Sequence, residues 1–235
     1  MSIDNYKQYF TNEYLMGPNS LRILNALFEE CPLRMNDENL ILDLGCGTGL
    51  TSFFICKETG AKVLANDLWV DGAENARRFE KLGVGNMITP IQENANDLRF
   101  ERETFDAIVS VDSYHYFAGM PGYFTEKILP FIKHGGVALI GIPGIKNEFD
   151  DRTKELLTPW LGDEAYMFKS PRQWEMLIEF NTDIENVKVW EMSCFDRAWN
   201  EWLALDNEYA SGDKEYFESI IKPYSNFVGI KVIKR

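Results

Sequence analysis

Basic residues and paired cysteines are scarce in this sequence, and each shortage excludes a class of function. Lys and Arg total 24 against 37 Asp and Glu, so the formal net charge is −13 at pH 7. Nucleic acids and anionic membrane surfaces are bound mainly through Lys and Arg, so neither is expected as a partner. The four cysteines form no CxxC pair, which leaves a zinc site and a disulfide framework without support. No metal is expected.

Long apolar runs and an N-terminal targeting segment are also missing. The longest strongly apolar runs have about six residues, such as 137–142, whereas a membrane span needs about 20. Residues 1–7 lack the basic start and apolar core of a signal peptide. We therefore expect a soluble, reduced, cytoplasmic protein. With 45% apolar and 26% charged residues, no repeat and no linker, residues 1–235 are predicted to form one domain.

Short apolar segments alternate with helical patterns over most of the chain. Seven strands are predicted, at residues 40–44, 62–66, 86–91, 105–111, 137–142, 187–191 and 227–233. Helices are predicted at residues 50–57, 71–82, 122–131, 171–180, 197–209 and 214–221, with two more within 5–31. Strands without polar alternation, separated by helices, form parallel sheets covered on both faces. The predicted fold class is α/β, with a doubly wound, mostly parallel seven-stranded sheet and helices on both faces.

The predicted elements divide the domain into four parts. They are N-terminal helices at 1–36, a core at 37–142, an irregular insertion at 143–180 and the C-terminal part of the sheet at 181–235. The insertion follows the fifth strand, where covers over a ligand usually occur. In the first part, Tyr6, Phe10 and Tyr14 are spaced for a helix that either folds over a ligand as a lid or simply docks on the core.

A glycine-rich turn joins the first strand to the next helix, in the segment Leu42-Asp43-Leu44-Gly45-Cys46-Gly47-Thr48-Gly49. Its three glycines permit a tight turn and the close approach of a ligand to the backbone. The helix beyond the turn begins with unpaired N–H groups. Asp43 would repel a pyrophosphate here, but its carboxylate can hold an ammonium directly or through water. A lone GxGxG is common to many nucleotide-binding folds, so the neighbouring residues decide its meaning.

Polar side chains follow the second and third strands. Asp67 ends the second strand, where an acid accepts hydrogen bonds from both hydroxyls of a ribose. Trp69 is placed to pack on the base or the ribose. Asn94, Ala95 and Asn96 follow the third strand, where a polar side chain can meet the edge of adenine. The pattern therefore predicts a nucleoside site at the carboxyl ends of these strands.

The order of these motifs resembles that of the class I S-adenosylmethionine-dependent methyltransferases. The segment 42–49 looks like their first motif, and Asp67 matches their ribose acid. Residues 92–100 resemble the family's adenine motif, and residues 105–110 resemble its fourth strand. Residues 129–136 resemble the loop that leads into its fifth strand. The resemblance covers residues 38–142 and is nearest to the small-molecule enzymes of the ubiquinone-biosynthesis-like group, methyltransferase type 11. Two positions depart from that group, with Asn94 in place of an acid and Arg99 in place of a proline.

The resemblance implies a Rossmann-like methyltransferase fold, S-adenosylmethionine as cofactor and S-adenosylhomocysteine as product. The methyl group would pass to a small molecule by direct in-line displacement. The cofactor-binding residues that it implies are Asp43, Gly45, Cys46, Gly47, Gly49, Asp67, Leu68, Trp69, Asn94, Ala95, Asn96, Val111 and Asp112. Among these, Val111 and Asp112 would line the methionine end of the cofactor.

The segment after the fourth strand is expected to lie between cofactor and acceptor, because ligands of such sheets sit beyond the carboxyl ends of the strands. His115 matches a position that is often His in the family, where it acts either as a general base or as a structural hydrogen-bonding group. The candidate acceptor-binding residues are Tyr14, Tyr114, His115, Tyr116 and Trp160. Aromatic walls and the negative charge favour neutral or cationic acceptors over anionic ones.

Two other functions remain open at this point. A nicotinamide-dependent oxidoreductase uses a similar fold, but it is expected to show GxGxxG after a bare strand end, whereas Leu50 and Asp43 stand here. A non-catalytic protein that binds S-adenosylmethionine would keep Asp67 without an ordered acceptor pocket. The sequence does not distinguish a monomer from a homodimer, and it does not identify the acceptor atom.

Overall fold

Seven strands form a single sheet in the computed structural model, which describes residues 3–178 and 181–235. The strands are β1 Leu40–Leu44, β2 Lys62–Asn66, β3 Ile88–Ile91, β4 Phe105–Val111, β5 Ile132–Ile145, β6 Ile184–Glu191 and β7 Ser225–Lys234. Their order is β3-β2-β1-β4-β5-β7-β6. β7 runs antiparallel to β5 and β6, and the other neighbours are parallel. The predicted mostly parallel seven-stranded sheet is confirmed.

Helices connect most of these strands. The α-helices are α1 Ser20–Glu30, α2 Leu50–Thr59, α3 Gly72–Lys81, α4 Asp151–Leu161, α5 Pro171–Leu177, α6 Phe195–Leu203, α7 Glu208–Tyr216 and the single turn α8 Lys222–Tyr224. Short 3₁₀ turns lie at Ile3–Tyr9, Tyr114–Tyr116, Leu129–Phe131 and Gly162–Met167, and π-helical turns at Phe124–Ile128 and Phe217–Ile221. The side chains of Asn19 and Ser170 cap α1 and α5 by accepting hydrogen bonds from the backbone of the first turn.

Both faces of the sheet are buried. Along β1, Ile41 packs into one apolar cluster with α1 and α2, and Leu42 into a second cluster with Phe105 and Trp174. Side chains alternate across a strand, so these two positions mark the two faces. This explains why the sequence of β1 is almost continuously apolar. In the described ranges 3–178 and 181–235, no helix combines the length and apolar composition needed to cross a membrane.

Four predicted helices differ from the observed ones, including the one at 214–221, which is divided between the end of α7 and the π turn Phe217–Ile221. The N-terminal aromatic segment is a 3₁₀ turn, Ile3–Tyr9. The helix predicted at 122–131 is replaced by a π turn and a 3₁₀ turn, because Pro130 cannot donate the backbone hydrogen bond that a continuous α-helix needs.

The long helix predicted at 197–209 ends at Leu203, and α7 starts anew at Glu208. The side chain of Asn207 accepts a hydrogen bond from Ala210 N, which begins a new helix there. The predicted end of the helix at Phe180 lies outside the described residues, and α5 extends to Leu177.

The fifth strand begins earlier than predicted. The predicted turn at 134–136 lies inside β5, where the pairing with β4 shifts register between Phe105 and Ala107. Gly135 has a φ of +73° in this stretch, so the strand continues through an irregularity instead of starting after it.

Candidate functional site

Two connected clefts open where the strand order reverses between β1 and β4, at the carboxyl ends of these strands. The first cleft, which is open to solvent, spans about 750 Å³ and is lined by Tyr14, Met16, Gly17, Pro18, Ser20, Gly45, Cys46, Gly47, Thr48, Leu50, Thr51, Asp67, Trp69, Val111, Asp112, Ser113 and Tyr116. The second, also open to solvent, spans about 640 Å³ and is lined by Leu44, Gly45, Asn66, Asp67, Leu68, Trp69, Glu93, Asn94, Ala95, Asn96, Ser113, Tyr116 and Phe117. The shared residues make the two clefts one elongated site.

The glycine loop between β1 and α2 forms the floor shared by both clefts. Gly45 has a φ of +79°, a region that side-chain-bearing residues rarely adopt. A Cβ atom at Gly45 would overlap the side chain of Ser113. That serine donates its Oγ hydrogen bond to the carbonyl of Leu44 over 2.8 Å. The loop after β4 therefore lies directly against the glycine loop, and glycine is required at this contact.

Asp43 lies beneath the glycine loop and is fully buried. Its Oδ2 accepts hydrogen bonds from Thr51 Oγ1 at 2.7 Å and Ser52 Oγ at 2.6 Å. Its Oδ1 has no partner among the described residues. Burial raises the pKa of this carboxyl to about 6. One oxygen is thus fixed by α2, and the other is free to accept from a ligand or a water.

Asp67 follows β2 and lines both clefts. Its Oδ2 accepts from Gly47 N at 2.8 Å, and its Oδ1 accepts from Trp69 N at 2.8 Å and Val70 N at 3.0 Å. These three backbone donors fix the orientation of the carboxylate. Because a carboxylate offers about four acceptor positions, it retains capacity for a hydroxyl of a ligand.

The second cleft has an aromatic rim and a polar base. Trp69 is 71% exposed, and its ring meets that of Tyr116 edge-on with centroids 5.4 Å apart. At the base, Asn94 Oδ1 accepts from Asn96 N, which folds this loop into a tight turn. The hydroxyl of Tyr123 donates to Ala95 O over 2.7 Å and holds the turn against the core. The cleft is therefore shaped for a flat ring with a polar edge.

The N-terminal segment forms the outer wall of the first cleft. Thr48 Oγ1 donates to Tyr14 O over 2.8 Å, which ties this segment to the glycine loop. Lys81 on α3 pairs with Glu13 at 3.0 Å. A Cβ atom at Gly47 would lie 3.1 Å from the sulfur of Met16. The segment therefore closes over the glycine loop, as a lid or a docked segment is expected to do.

Asp112 is the first residue after β4, and its side chain lines the first cleft. Its φ is +55°, and its amide donates to Gly141 O over 2.7 Å, so the chain turns sharply here. The carboxylate has no hydrogen bond or ion pair among the described residues. Burial, with a smaller contribution from Asp213, raises the pKa of this carboxyl to about 7.

His115 is placed behind the site and does not line either cleft. It is 4% exposed, its ring stacks on Tyr116 with centroids 4.1 Å apart, and it meets Phe168 edge-on at 5.8 Å. Its Nδ1 has no hydrogen-bond partner among the described residues. Burial, with a smaller contribution from Lys169, lowers the pKa of the ring to about 3, so the imidazole is neutral at pH 7.

The predicted site residues fall into two groups. Those that line a cleft are Tyr14, Gly45, Cys46, Gly47, Asp67, Leu68, Trp69, Asn94, Ala95, Asn96, Val111, Asp112 and Tyr116. Those behind the lining are Asp43, Gly49, Tyr114, His115 and Trp160. Gly49 lies over the ring of Phe79, Tyr114 packs against Trp174, and Trp160 Nε1 donates to Asp213 Oδ1 over 2.8 Å.

Several lining residues were missed by the sequence analysis. They are Met16, Gly17, Pro18, Ser20, Leu44, Thr48, Leu50, Thr51, Asn66, Glu93, Ser113 and Phe117. Most of them reach the site through tertiary packing and carry no local motif. Thr51 is an exception. It and the neighbouring Ser52 place two hydroxyls opposite the buried end of β1, a pattern that indicates hydrogen-bond donors for Asp43.

The charges that line the clefts are all negative. Asp67, Glu93 and Asp112 contribute carboxylates, and no Lys, Arg or His belongs to either lining within the part of the chain that the structure describes. The same part holds no group of three or more His, Cys, Asp or Glu side chains suited to a metal ion. The site is therefore built to accept hydrogen-bond donors and cationic groups.

Comparisons with known proteins agree with this arrangement. Residues 41–136 match the family described as "Methyltransferase domain". A sterol 24-C-methyltransferase of Debaryomyces hansenii is 25% identical over 126 residues, 52% of this chain and 33% of that protein. An erythromycin 3''-O-methyltransferase of Saccharopolyspora erythraea is 30% identical over 121 residues, 51% of this chain and 39% of that protein. The chain thus spans little more than a third of the length of these relatives.

The same fold is found over the whole chain in solved structures. Phosphoethanolamine N-methyltransferase 2 of Haemonchus contortus superimposes with a TM-score of 0.72 at 20% identity, covering 99% of this chain and 57% of the other. The glycine loop follows β1 and Asp67 follows β2, where the sequence motifs place them. Residues 41–136 therefore match a methyltransferase domain, the kind of domain that the sequence motifs resemble, and the fold of the chain is that of solved methyltransferase structures.

Proposed function

We propose that the protein transfers a methyl group from S-adenosylmethionine to a small molecule. The observation that carries this proposal is the arrangement of Asp43 and Asp67 around the glycine loop. Asp43 keeps a buried, unpartnered oxygen beneath the loop, and Asp67 presents a fixed carboxylate beside it. A dinucleotide would place a pyrophosphate near Asp43, whereas S-adenosylmethionine carries an ammonium there. The ribose hydroxyls that Asp67 can accept from are common to both ligands.

The residues present fit this cofactor in three places. Asp43 would hold the ammonium, directly or through water, and Asp67 would accept from a ribose hydroxyl. The rim and base of the second cleft, from Trp69 to the turn at Asn94, would take the adenine. When bound, the cofactor supplies a methyl group on a sulfonium, which is already activated for transfer.

The chain's own part in the reaction is binding, orientation and exclusion of water. The N-terminal segment, Tyr116 and Trp69 wall the first cleft, which would hold the methionine end of the cofactor beside Val111 and Asp112. An acceptor held in line would attack the methyl carbon as the carbon–sulfur bond breaks, leaving S-adenosylhomocysteine. Holding two reactants in line can supply a large part of the rate acceleration. We infer that His115, neutral and behind Tyr116, supports that wall instead of taking a proton.

The charge of the lining supports a neutral or cationic acceptor. The relatives' names include a sterol, erythromycin and phosphoethanolamine, which differ in the atom methylated and in charge. A phosphate-bearing acceptor such as the last one needs a cationic partner, and neither described cleft lining offers one. The oligomeric state, monomer or homodimer, and the cytoplasmic location stay predictions from the sequence.

Calorimetry with S-adenosylhomocysteine and, separately, with NADH tests the cofactor assignment. We expect saturable binding of S-adenosylhomocysteine only. Because the pKa of Asp43 is raised to about 6, binding of an ammonium should weaken by up to about tenfold per pH unit below 6. Asp43→Asn keeps an oxygen for Thr51 and Ser52 and should remove this dependence. Binding of NADH alone would favour an oxidoreductase, and binding without turnover over a broad acceptor screen would favour a non-catalytic protein.

A further inference from the structure

We propose that the acceptor is an amine, and that Asp112 binds its ammonium form and takes the proton that the nitrogen loses before methylation. This inference rests on the proposed function and adds the substrate class. The amine N–H bond breaks with its proton passing to the Asp112 carboxylate. The nitrogen lone pair then forms the bond to the methyl carbon, and the carbon–sulfur electron pair leaves with sulfur.

The backbone aims Asp112 into the first cleft. At a φ of +55° only glycine, asparagine and aspartate are commonly tolerated, and the amide of Asp112 is held by Gly141 O. Oδ2 lies 3.1 Å from the position that a Cβ atom of Gly17 would occupy, so the carboxylate lies directly against the N-terminal wall of the cleft. Residues held in such conformations cluster at active sites and ligand clamps.

Asp112 is the carboxylate of the first cleft that has no donor. Asp67, the other lining acid, already accepts three backbone hydrogen bonds. A partly buried carboxylate without a partner is costly to keep unless a ligand provides one. Since no described Lys, Arg or His lines the cleft, a bound cation is the partner that would stabilise the ionised form of this carboxyl.

Aromatic rings complete a site for a cation. Tyr14, Trp69 and Tyr116 line the same cleft as Asp112, and the last two meet edge-on. Aromatic faces attract an ammonium, and the attraction grows as water is excluded. An alcohol or thiol acceptor would gain nothing from these rings beyond apolar contact, and a carboxylate or phosphate would be repelled.

The surroundings of Asp112 keep the pKa of its carboxyl near 7. Asp213 on α7 repels its charge, and Asp67 stands across the cleft. Burial raises the pKa of Tyr14, and burial with the nearby carboxylates raises that of Tyr116 to about 12, so both phenols stay neutral. With its own pKa raised to about 7, Asp112 is matched to a proton transfer at neutral pH.

The test uses labelled methyl transfer from S-adenosylmethionine to matched acceptors: phenethylamine, 2-phenylethanol and phenylacetate, with ethylamine, tryptamine and spermidine as further amines. Binding of each to the protein with S-adenosylhomocysteine is measured in parallel. We expect at least one amine to bind and be methylated, and the alcohol and the carboxylate to react at least 100-fold more slowly.

Asp112→Asn removes the charge but keeps a residue that tolerates the backbone conformation. It should lower kcat/KM for the amine by about 10²–10⁴-fold. Because Asp112 is also predicted to line the methionine end of the cofactor, the affinity for S-adenosylhomocysteine is measured as well, and a loss of that affinity without a selective loss of amine turnover would assign Asp112 to the cofactor and overturn the proposal. The rise of kcat/KM through pH 7 in the wild type should disappear. Asp37→Asn, an exposed site with the same change of charge, is the control and should match the wild type.

Other results overturn the proposal. One is that the alcohol or the carboxylate is methylated in preference to the amines. Another is that the Asp112→Asn variant keeps the wild-type rate and pH profile. Failure of every amine both to bind and to react also overturns it, while bound S-adenosylhomocysteine keeps the cofactor assignment. If S-adenosylhomocysteine itself does not bind, the proposed function fails together with this inference.

Discussion

Asp67 Oδ2 accepts a hydrogen bond from the amide of Gly47 at 2.8 Å, so the acid after β2 holds the glycine loop after β1. These two residues are 20 positions apart in the chain but act as one unit of the site. The same carboxylate also closes the turn at Trp69. A change at Asp67 is therefore expected to alter both the hydrogen bonds to the ligand and the shape of the loop.

Asp67→Ala should weaken binding of S-adenosylhomocysteine by about 1.5–3 kcal/mol, or roughly 10- to 150-fold, since hydrogen bonds to a charged group are lost. Asp67→Asn retains one acceptor oxygen, so its affinity should fall between those of the wild type and Asp67→Ala. Calorimetry at pH 7.5 gives the affinities, with Asp37→Ala as an exposed control. Unchanged affinity in Asp67→Ala would remove this residue from the proposed ribose contact.

Gly45→Ala should destabilise the fold by about 1–3 kcal/mol, because its Cβ atom meets Ser113 and its φ of +79° is strained for alanine. Gly72→Ala is the matched control. Nothing lies within 4 Å of a Cβ atom there, and alanine favours the helix that it begins. The midpoint of urea unfolding should fall for Gly45→Ala and should stay the same or rise for Gly72→Ala. Equal stability of Gly45→Ala and the wild type would contradict the close contact.

The buried imidazole of His115 predicts a pH-dependent stability. Its pKa is lowered to about 3 in the folded state, so its contribution is present above pH 6.5 and is lost as pH falls from there towards 3. At pH 5 the wild type should have lost about 2 kcal/mol from this group alone. His115→Gln has no such titration, so its stability relative to the wild type should improve by that amount between pH 7.5 and pH 5.

Urea unfolding of both proteins at the two pH values measures this difference, and the raised pKa values of Asp43 and Asp112 cancel in the comparison. If the difference in unfolding free energy between the two proteins is the same at pH 7.5 and pH 5, the ring is not held neutral. If His115 is instead a general base, His115→Gln would lower turnover by about 10²–10⁴-fold with cofactor affinity unchanged.

The N-terminal wall should tighten when ligand binds. Amide hydrogen exchange within residues 10–18 is expected to slow on adding S-adenosylhomocysteine, because Tyr14 and Met16 line its proposed cleft. Thr48→Val keeps the shape of the side chain but removes its hydrogen bond to Tyr14 O, which should speed exchange there in the free protein. Thr104→Val, an exposed and distant hydroxyl, serves as the control. Exchange that is insensitive to ligand would indicate a simply docked segment.

Local patterns were sufficient for the strands and for part of the site. β1, β2 and β4 have the bounds predicted from the sequence, since each is a buried apolar run ended by a polar or turn residue. The glycine loop and Asp67 were located because their roles depend on strand ends, which the pattern identifies.

Features that depend on tertiary packing were beyond the sequence. Trp160 was predicted to wall the acceptor site, but its indole N–H is bonded to Asp213, 53 positions away. Asn207 starts α7 through a cap that resembles any other polar residue within an amphipathic helix. Ser113 reaches the glycine loop only because the strand order brings β4 beside β1.

The two walls of the first cleft come from separate stretches of the chain. Tyr14, Met16 and Pro18 lie outside the 41–136 segment shared with the family, whereas the glycine loop and Asp67 lie within it. Substitutions in this outer segment can therefore reshape one wall of the cleft while Asp67, in the segment that matches the family, keeps its own backbone hydrogen bonds. Substitutions at Tyr14 and Met16 would also be felt at the glycine loop, which both residues contact.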